Sequence, residues 1–168
     1  MATAPDIDSG PDPDIEAERA AYAQLLASSR QRSIFAEAWW LDAVTGSPDS
    51  WRPNLLLGPD GAARAAWPLA IRRERAGLIG TGASYTPWLG PLLEDRGTDG
   101  VARVSADIEL LQSLAIQLEA EYAHVEAACM PELDYWTPLA WQGFTQTTRT
   151  TWRIDAGLTP DAVRAGMR

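Results

Sequence analysis

The residues of this sequence best suited to chemistry are few and scattered. His124 and Cys129 are the single His and the single Cys, and they stand five positions apart. On a strand an odd separation sends side chains to opposite faces, so the two do not form an acid–base or nucleophilic dyad. Packed core positions suit both better. One His and one Cys also fall short of the usual zinc ligand set. With one His and no nucleophile elbow, no Ser-His-Asp triad assembles either.

The run Gly77-Leu78-Ile79-Gly80-Thr81-Gly82 is of another kind. A Gly-x-Gly turn ahead of a helix can cradle a phosphate through its backbone amides, which makes Gly80 and Gly82 candidate cofactor contacts. Pro87 and Pro91 follow closely and block an immediate helix, which favours a plain turn. The next stretch, Ser84-Tyr85-Thr86-Pro87-Trp88-Leu89-Gly90-Pro91, is a Pro- and Gly-stiffened loop with two aromatics. Such a loop gives a large contact area at low entropy cost. Tyr85 and Trp88 therefore read either as ligand contacts or as a lid folded back over the core.

Further along, Asp134–Phe144 holds four aromatics in eleven residues. Trp136 and Trp141 are five apart and do not share a helical stripe. The core reading is favoured for them, with one ring turned outward. Arg149 and Arg153 fall at i and i+4 of an alternating Thr-rich run, on one face of the expected strand. Two guanidiniums there would hold an anionic substrate or, more ordinarily, pair with the acidic helices.

The elements that must position these residues read as follows. Residues 1–11 form an acidic Pro/Gly/Ser tail expected to be disordered. Asp12 and Pro13 open a helix over about 13–28 with Ile15, Tyr22, Leu25 and Leu26 on one stripe. A second helix carries Phe35, Trp39, Trp40 and Val44 and ends at Gly46; its paired Trp need a broad apolar partner. Residues 51–57 and 62–73 read as strands joined by the turn Gly58–Gly61, with Pro68 marking a bulge or an edge. Ala76–Ile79 is a third strand. A helix over 105–122, capped by Ser105, presents Ile108, Leu111, Leu114, Ala115, Leu118 and Tyr122. Then come a strand at 124–129, a short helix from Pro131 to Trp141 broken at Gly143, a strand at 144–154, and a helix capped by Thr159 with Pro160 first. This order predicts an α/β layered domain.

Composition bounds the rest. The chain has 168 residues, 23 acidic against 14 basic, and a net charge of −9. All the basic residues are Arg. That balance argues against binding nucleic acid through a wide basic surface. No apolar run approaches the roughly 18 residues of a membrane span, and the first residues lack the basic start and apolar core of a secretory signal. A cytoplasmic setting is expected.

Four stretches, taken in order, are similar to one family. They are Phe35–Val44, the hairpin end Ala66–Arg73, the loop Thr86–Leu93, and Trp136–Asp155 with its Trp-x-Gly-Phe run ahead of a Thr/Arg segment. Together they resemble the N-terminal lobe of bacterial Fem-like proteins of the GNAT acyltransferase superfamily, over about residues 33–168.

The resemblance implies a GNAT-like mixed, largely antiparallel sheet flanked by helices, as a single lobe ending in an unfinished helix. It implies a lobe over 12–157 and, over 158–168, the start of a linker helix toward a second lobe. The complete enzyme would transfer an acyl or aminoacyl group to an amine, with acyl-coenzyme A or aminoacyl-tRNA as donor. The superfamily holds coenzyme A with an Arg/Gln-x-x-Gly-x-Gly/Ala turn. Here Gly77 stands at its first position, so the donor is expected on the other lobe and no cofactor on this chain. For acceptor contact the resemblance points to Tyr85, Trp88, Trp136 and Arg149. The implied partners are a second GNAT-like lobe or a homodimer mate, and a small-molecule or peptide amine. The alternatives are a non-enzymatic pairing module, or a ligand-binding domain using Tyr85 and Trp88.

Overall fold

The computed structural model describes residues 13–97, 100–131, 133, 135–149 and 157–166. The expected tail over 1–11, the Asp12 cap and Arg153 lie outside the described residues.

The first helix, α1, spans Pro13–Ser28. Tyr22, Leu25 and Leu26 turn inward, while Ile15 at the helix start stays exposed. The Tyr22 hydroxyl donates to the Ala36 carbonyl and pins the following turn to α1. That turn is a short 3-10 segment, Ile34–Ala36, opened by the Ser33 hydroxyl accepting from the Phe35 amide. Glu37 is extended, and only then does α2, Ala38–Thr45, begin. The second helix expected from the sequence is thus split, with Phe35 on the turn. As expected, Gly46 ends α2, taking a left-handed φ of 83° and donating to the Asp42 carbonyl.

The expected long hairpin is present, but each arm breaks midway. Its first arm is β1, Trp51–Arg52, then β2, Leu55–Leu57; its second is β3, Ala63–Ala66, then β4, Leu69–Glu74. The breaks fall opposite one another at Pro53-Asn54 and Trp67-Pro68. Proline cannot donate to a ladder, so both arms leave one sheet there and join another. Between the arms the Gly58 amide donates to the Ala62 carbonyl, and Gly61 takes a φ of +78°.

Beyond the hairpin come β5, Gly77–Thr81, and β6, Leu92–Leu93. Then α3 spans Gly100–Glu121 and β7 His124–Glu126. The last elements are α4, Thr137–Trp141, and α5, Pro160–Gly166. One sheet has the order β1-β4-β5-β7 and the other β2-β3-β6. Every pairing is antiparallel except β5 with β7, which α3 connects as a crossover.

Helices cover both faces. One core holds Tyr22, Leu25, Leu26 and Leu41 with Trp51, Ala66 and Leu92; the other holds Leu111, Leu114, Leu118 and Leu139 with Ala65, Trp67 and Leu93. Ala65 and Ala66, like Leu92 and Leu93, are neighbours sent to opposite layers by the strand alternation. The molecule is therefore mixed α/β, as the element order predicts, and its pairing is largely antiparallel, though divided between two sheets where one was expected.

Several boundaries move. Ser105 lies inside α3 and does not cap it, because Val101–Val104 contain no breaker and the helix reaches back to Gly100 at φ +66°. Leu110 joins its buried face, and so does Asp107. β7 is half the expected strand. α4 starts at Thr137, not Pro131, although it does end before Gly143, which is left-handed. Residues 144–149 form neither helix nor strand, so the expected strand does not occur there; its remainder lies outside the described residues. Thr159 caps α5 as expected, its hydroxyl accepting from the Ala162 amide at 3.3 Å.

Candidate functional site

The loop after β5 is an excursion between two pairing points. The Gly82 amide donates to the Glu126 carbonyl at 2.9 Å, extending the β5–β7 pairing. The chain then departs and returns where the Leu89 amide donates to the Ala128 carbonyl and the Met130 amide to the Gly90 carbonyl, at 2.8 and 3.0 Å. Ala83 and Leu89, at the two ends, are buried in the first core. Between them the Thr86 amide reaches back to the Ala83 carbonyl, closing a turn over Ser84 and Tyr85.

Tyr85 sits in that turn at φ 58° and is 88% exposed. A non-glycine residue in the left-handed region costs roughly 1–2 kcal/mol. No buried contact of its own ring offsets that cost. Trp88 behaves differently: it is half-buried, packs against the first core and meets Phe35 edge to face at 5.8 Å and 89°. The aromatic run continues from Phe35 to Trp40 at 5.4 Å and from Trp40 to Trp39 at 6.0 Å, each edge to face. The Trp40 indole N–H donates to the Thr86 hydroxyl at 3.0 Å, tying α2 to the loop. The broad partner required by the paired tryptophans is thus this loop together with Phe35. It covers Trp40 and leaves Trp39 58% exposed. Tyr85 and Trp39 are the outward aromatics of this face, and Trp88 with Phe35 and Trp40 supports it from beneath.

Gly80 and Gly82 serve the sheet. Gly80 stands in β5 between Ile71 and Val125. A Cβ there would meet Leu69 Cδ1 at 2.8 Å and the Tyr122 ring at 3.0 Å, so close packing requires the glycine. Gly82 has open space around its Cα, but its N–H is committed to Glu126. That amide has nothing to offer a phosphate.

Trp136 and Arg149 are not part of this aromatic group. Trp136 precedes α4, whose Leu139 packs in the second core, and Arg149 follows α4 on exposed chain. Among the described residues no ring contact or hydrogen bond joins either to Tyr85 or Trp88. Trp136 and Trp141 are 37% and 60% exposed, so neither is a core residue. α4 has only five residues, and its buried positions are Pro138 and Leu139.

No protein-family model matches this chain, and no curated protein matches it.

His124 and Cys129 remain apart. The His124 side chain is exposed at the start of β7, with Nε2 4.0 Å from Glu126 Oε2, and is not the packed residue the sequence suggested. Cys129 lies beyond the end of β7 against the second core, and burial pushes its thiol up to about 11. A thiol so raised is a poor nucleophile near neutral pH. Among the described residues no group of three His, Cys, Asp or Glu side chains is placed to hold a metal. No described helix is long and apolar enough to cross a membrane.

A second feature escaped the sequence reading. A cavity of about 270 Å³ opens between the end of α1, β6, the start of α3 and the chain ahead of α4, lined by Arg30, Gln31, Asp107 and Tyr135 among others. Asp107 comes to it from the buried face of α3.

Proposed function

We propose that this chain is the acceptor-side lobe of a Fem-like, GNAT-type N-acyltransferase, holding an amine for attack on an acyl or aminoacyl donor bound elsewhere. The observation that carries the reading is the division of labour after β5. The Gly82 amide is spent on Glu126, while the next residues present Tyr85 outward on a loop braced by Trp88, Phe35 and Trp40. The order of sequence segments that resembles the family, and the mixed sheet between helices, support it further.

An amine acceptor is cationic in water. A chain of net charge −9 draws cations toward itself, and exposed aromatic faces hold ammonium groups by cation–π attraction. After losing a proton to a base or water, the amine nitrogen attacks the donor carbonyl. The carbonyl oxygen becomes an oxyanion, which backbone amides stabilise; the nitrogen then gives up its second proton as the C–S or C–O bond breaks, and the departing thiolate or alkoxide takes a proton up. On this reading residues 12–157 are the lobe, 158–168 begin a linker helix toward a second lobe, and the setting is cytoplasmic. Acyl-coenzyme A or aminoacyl-tRNA is then met on that second lobe or on a partner.

Calorimetric titration tests the reading. Acetyl-coenzyme A is expected not to bind this chain, and a lysine-containing peptide is expected to bind and to lose affinity in Tyr85→Ala without a change in melting temperature. Micromolar binding of acetyl-coenzyme A would replace the reading with a self-contained acetyltransferase. A second reading, a pairing module, is favoured by one observation: α5 buries none of its residues. Sedimentation across a wide concentration range separates the two, since a homodimer must dissociate on dilution.

A further inference from the structure

The cavity beside α3 is rich in hydrogen-bond donors. Gln31 is only 7% exposed, and its Oε1 accepts from the Ser29 hydroxyl at 2.8 Å and from the Leu93 amide at 3.2 Å. Its amide nitrogen has no partner among the described residues and is left to the cavity that Gln31 lines. The buried hydroxyl of Tyr135, in the same wall, also lacks a hydrogen-bond partner. Arg30 sits 3.7 Å from Asp95 and 3.6 Å from Asp107, both beyond hydrogen-bond length, so its guanidinium is held in place with donor capacity unspent. Buried polar groups are nearly always satisfied, so the Tyr135 hydroxyl calls for an acceptor, and the Gln31 amide and the part-exposed Arg30 guanidinium line the same cavity.

We propose that this cavity binds a small monocarboxylic acid with a short apolar body. The Arg30 guanidinium and the Gln31 amide donate to the carboxylate, and the Tyr135 hydroxyl adds a further donor. The flanking leucines Leu93, Leu111 and Leu133 cover the carbon chain. Arg30 and Arg103 line the wall against one buried acid, Asp107, so the lining carries one net positive charge, which matches a monoanion better than a dianion such as phosphate. A volume of about 270 Å³ admits a free acid of a few carbons. The site uses elements other than the Tyr85 loop and stands whether or not the acyltransferase reading does.

Butyrate is the probe, followed by amide NMR on the whole chain. Saturable shifts at the Leu93 amide and the Gln31 side-chain amide are expected, with inorganic phosphate producing none. Gln31→Glu keeps the oxygen that serves Ser29 and Leu93 but replaces the donor with a negative charge; it should weaken butyrate binding at least about tenfold. Tyr135→Phe removes an unpartnered hydroxyl, so it should leave the ligand-free melting temperature unchanged or raised while weakening butyrate several-fold. Absence of saturable shifts in the wild-type chain would overturn the proposal. So would equal response to phosphate, or butyrate affinity unchanged in a folded Gln31→Glu or in Tyr135→Phe.

Discussion

The hydroxyl of Tyr122 donates to Asn54 Oδ1 at 2.7 Å, joining the residue after α3 to the break in the first hairpin arm across 68 positions of chain. Asn54 holds φ 47° and is buried, and its Nδ2 donates to the Trp67 carbonyl at 2.8 Å and the Arg52 carbonyl at 3.3 Å. One amide therefore ties together both arms of the hairpin and the end of the crossover helix. Tyr122→Phe should cost about 1–2 kcal/mol and Asn54→Ala about 3, since the latter also strands the buried Tyr122 hydroxyl. Urea unfolding of both single variants and the double variant checks this. The expected result is marked non-additivity, the double costing little more than Asn54→Ala alone.

Gly80 and Gly82 should part company on substitution. Gly80→Ala drives a methyl into Leu69 and the Tyr122 ring and should lose about 1–3 kcal/mol. Gly82→Ala meets nothing within 4 Å and should be close to neutral. Thermal melts of the two variants suffice. A neutral Gly80→Ala would mean that β5 is not packed against Tyr122 as described.

Within the aromatic loop, stability and recognition should separate by residue. Trp88→Ala removes the ring that meets Phe35 and packs on the first core, for a loss of about 2–4 kcal/mol. Tyr85→Gly relieves the left-handed backbone at an exposed site and should raise stability by about 1 kcal/mol. Melting temperatures of the pair decide whether Tyr85 is held under strain for something other than packing.

Cys129 provides a pH signature. The thiol titrates near 9.0 when unfolded and near 11 in the native chain, so between those values the folded state alone keeps its proton. Its contribution to stability is complete below about pH 9 and disappears as pH rises through about 11. At pH 9 the native thiol is about 1% ionised and the unfolded one about half, so native alkylation by iodoacetamide should run roughly fifty-fold slower than in urea. Equal rates would place Cys129 on the surface.

The helices and the hairpin turn were legible because their signals are local. Pro13 and the Tyr22–Leu26 stripe, Gly46, Gly58–Gly61, and Thr159 with Pro160 each act within a few residues of the structure they specify. The sheet-switching breaks were only half legible. Pro68 announced its own, but Asn54 is left-handed because Tyr122 and Trp67 hold it, and neither is its neighbour in sequence. The same limit hid the cavity: Gln31, Asp107 and Tyr135 come from three distant segments, and none carries a spacing that pairs it with the others. Aromatic residues misled through their bulk. Trp136 and Trp141 looked like core, yet a five-residue α4 has too little buried face to cover them.

The hairpin that changes sheets midway makes a single tight turn answer for two alignments. Leu56 pairs with Ala65 in one sheet, and Trp51 with Ala70 in the other, through the same two arms. Slippage by one residue at Gly58–Gly61 would carry Ala65 and Ala66 into each other's layer and displace β4 against β5 at the same time. Neither sheet can therefore adopt a wrong alignment, or loosen, alone. The amides of β2 and of β4 should exchange with solvent through one shared opening, and the two sheets behave as one folding unit.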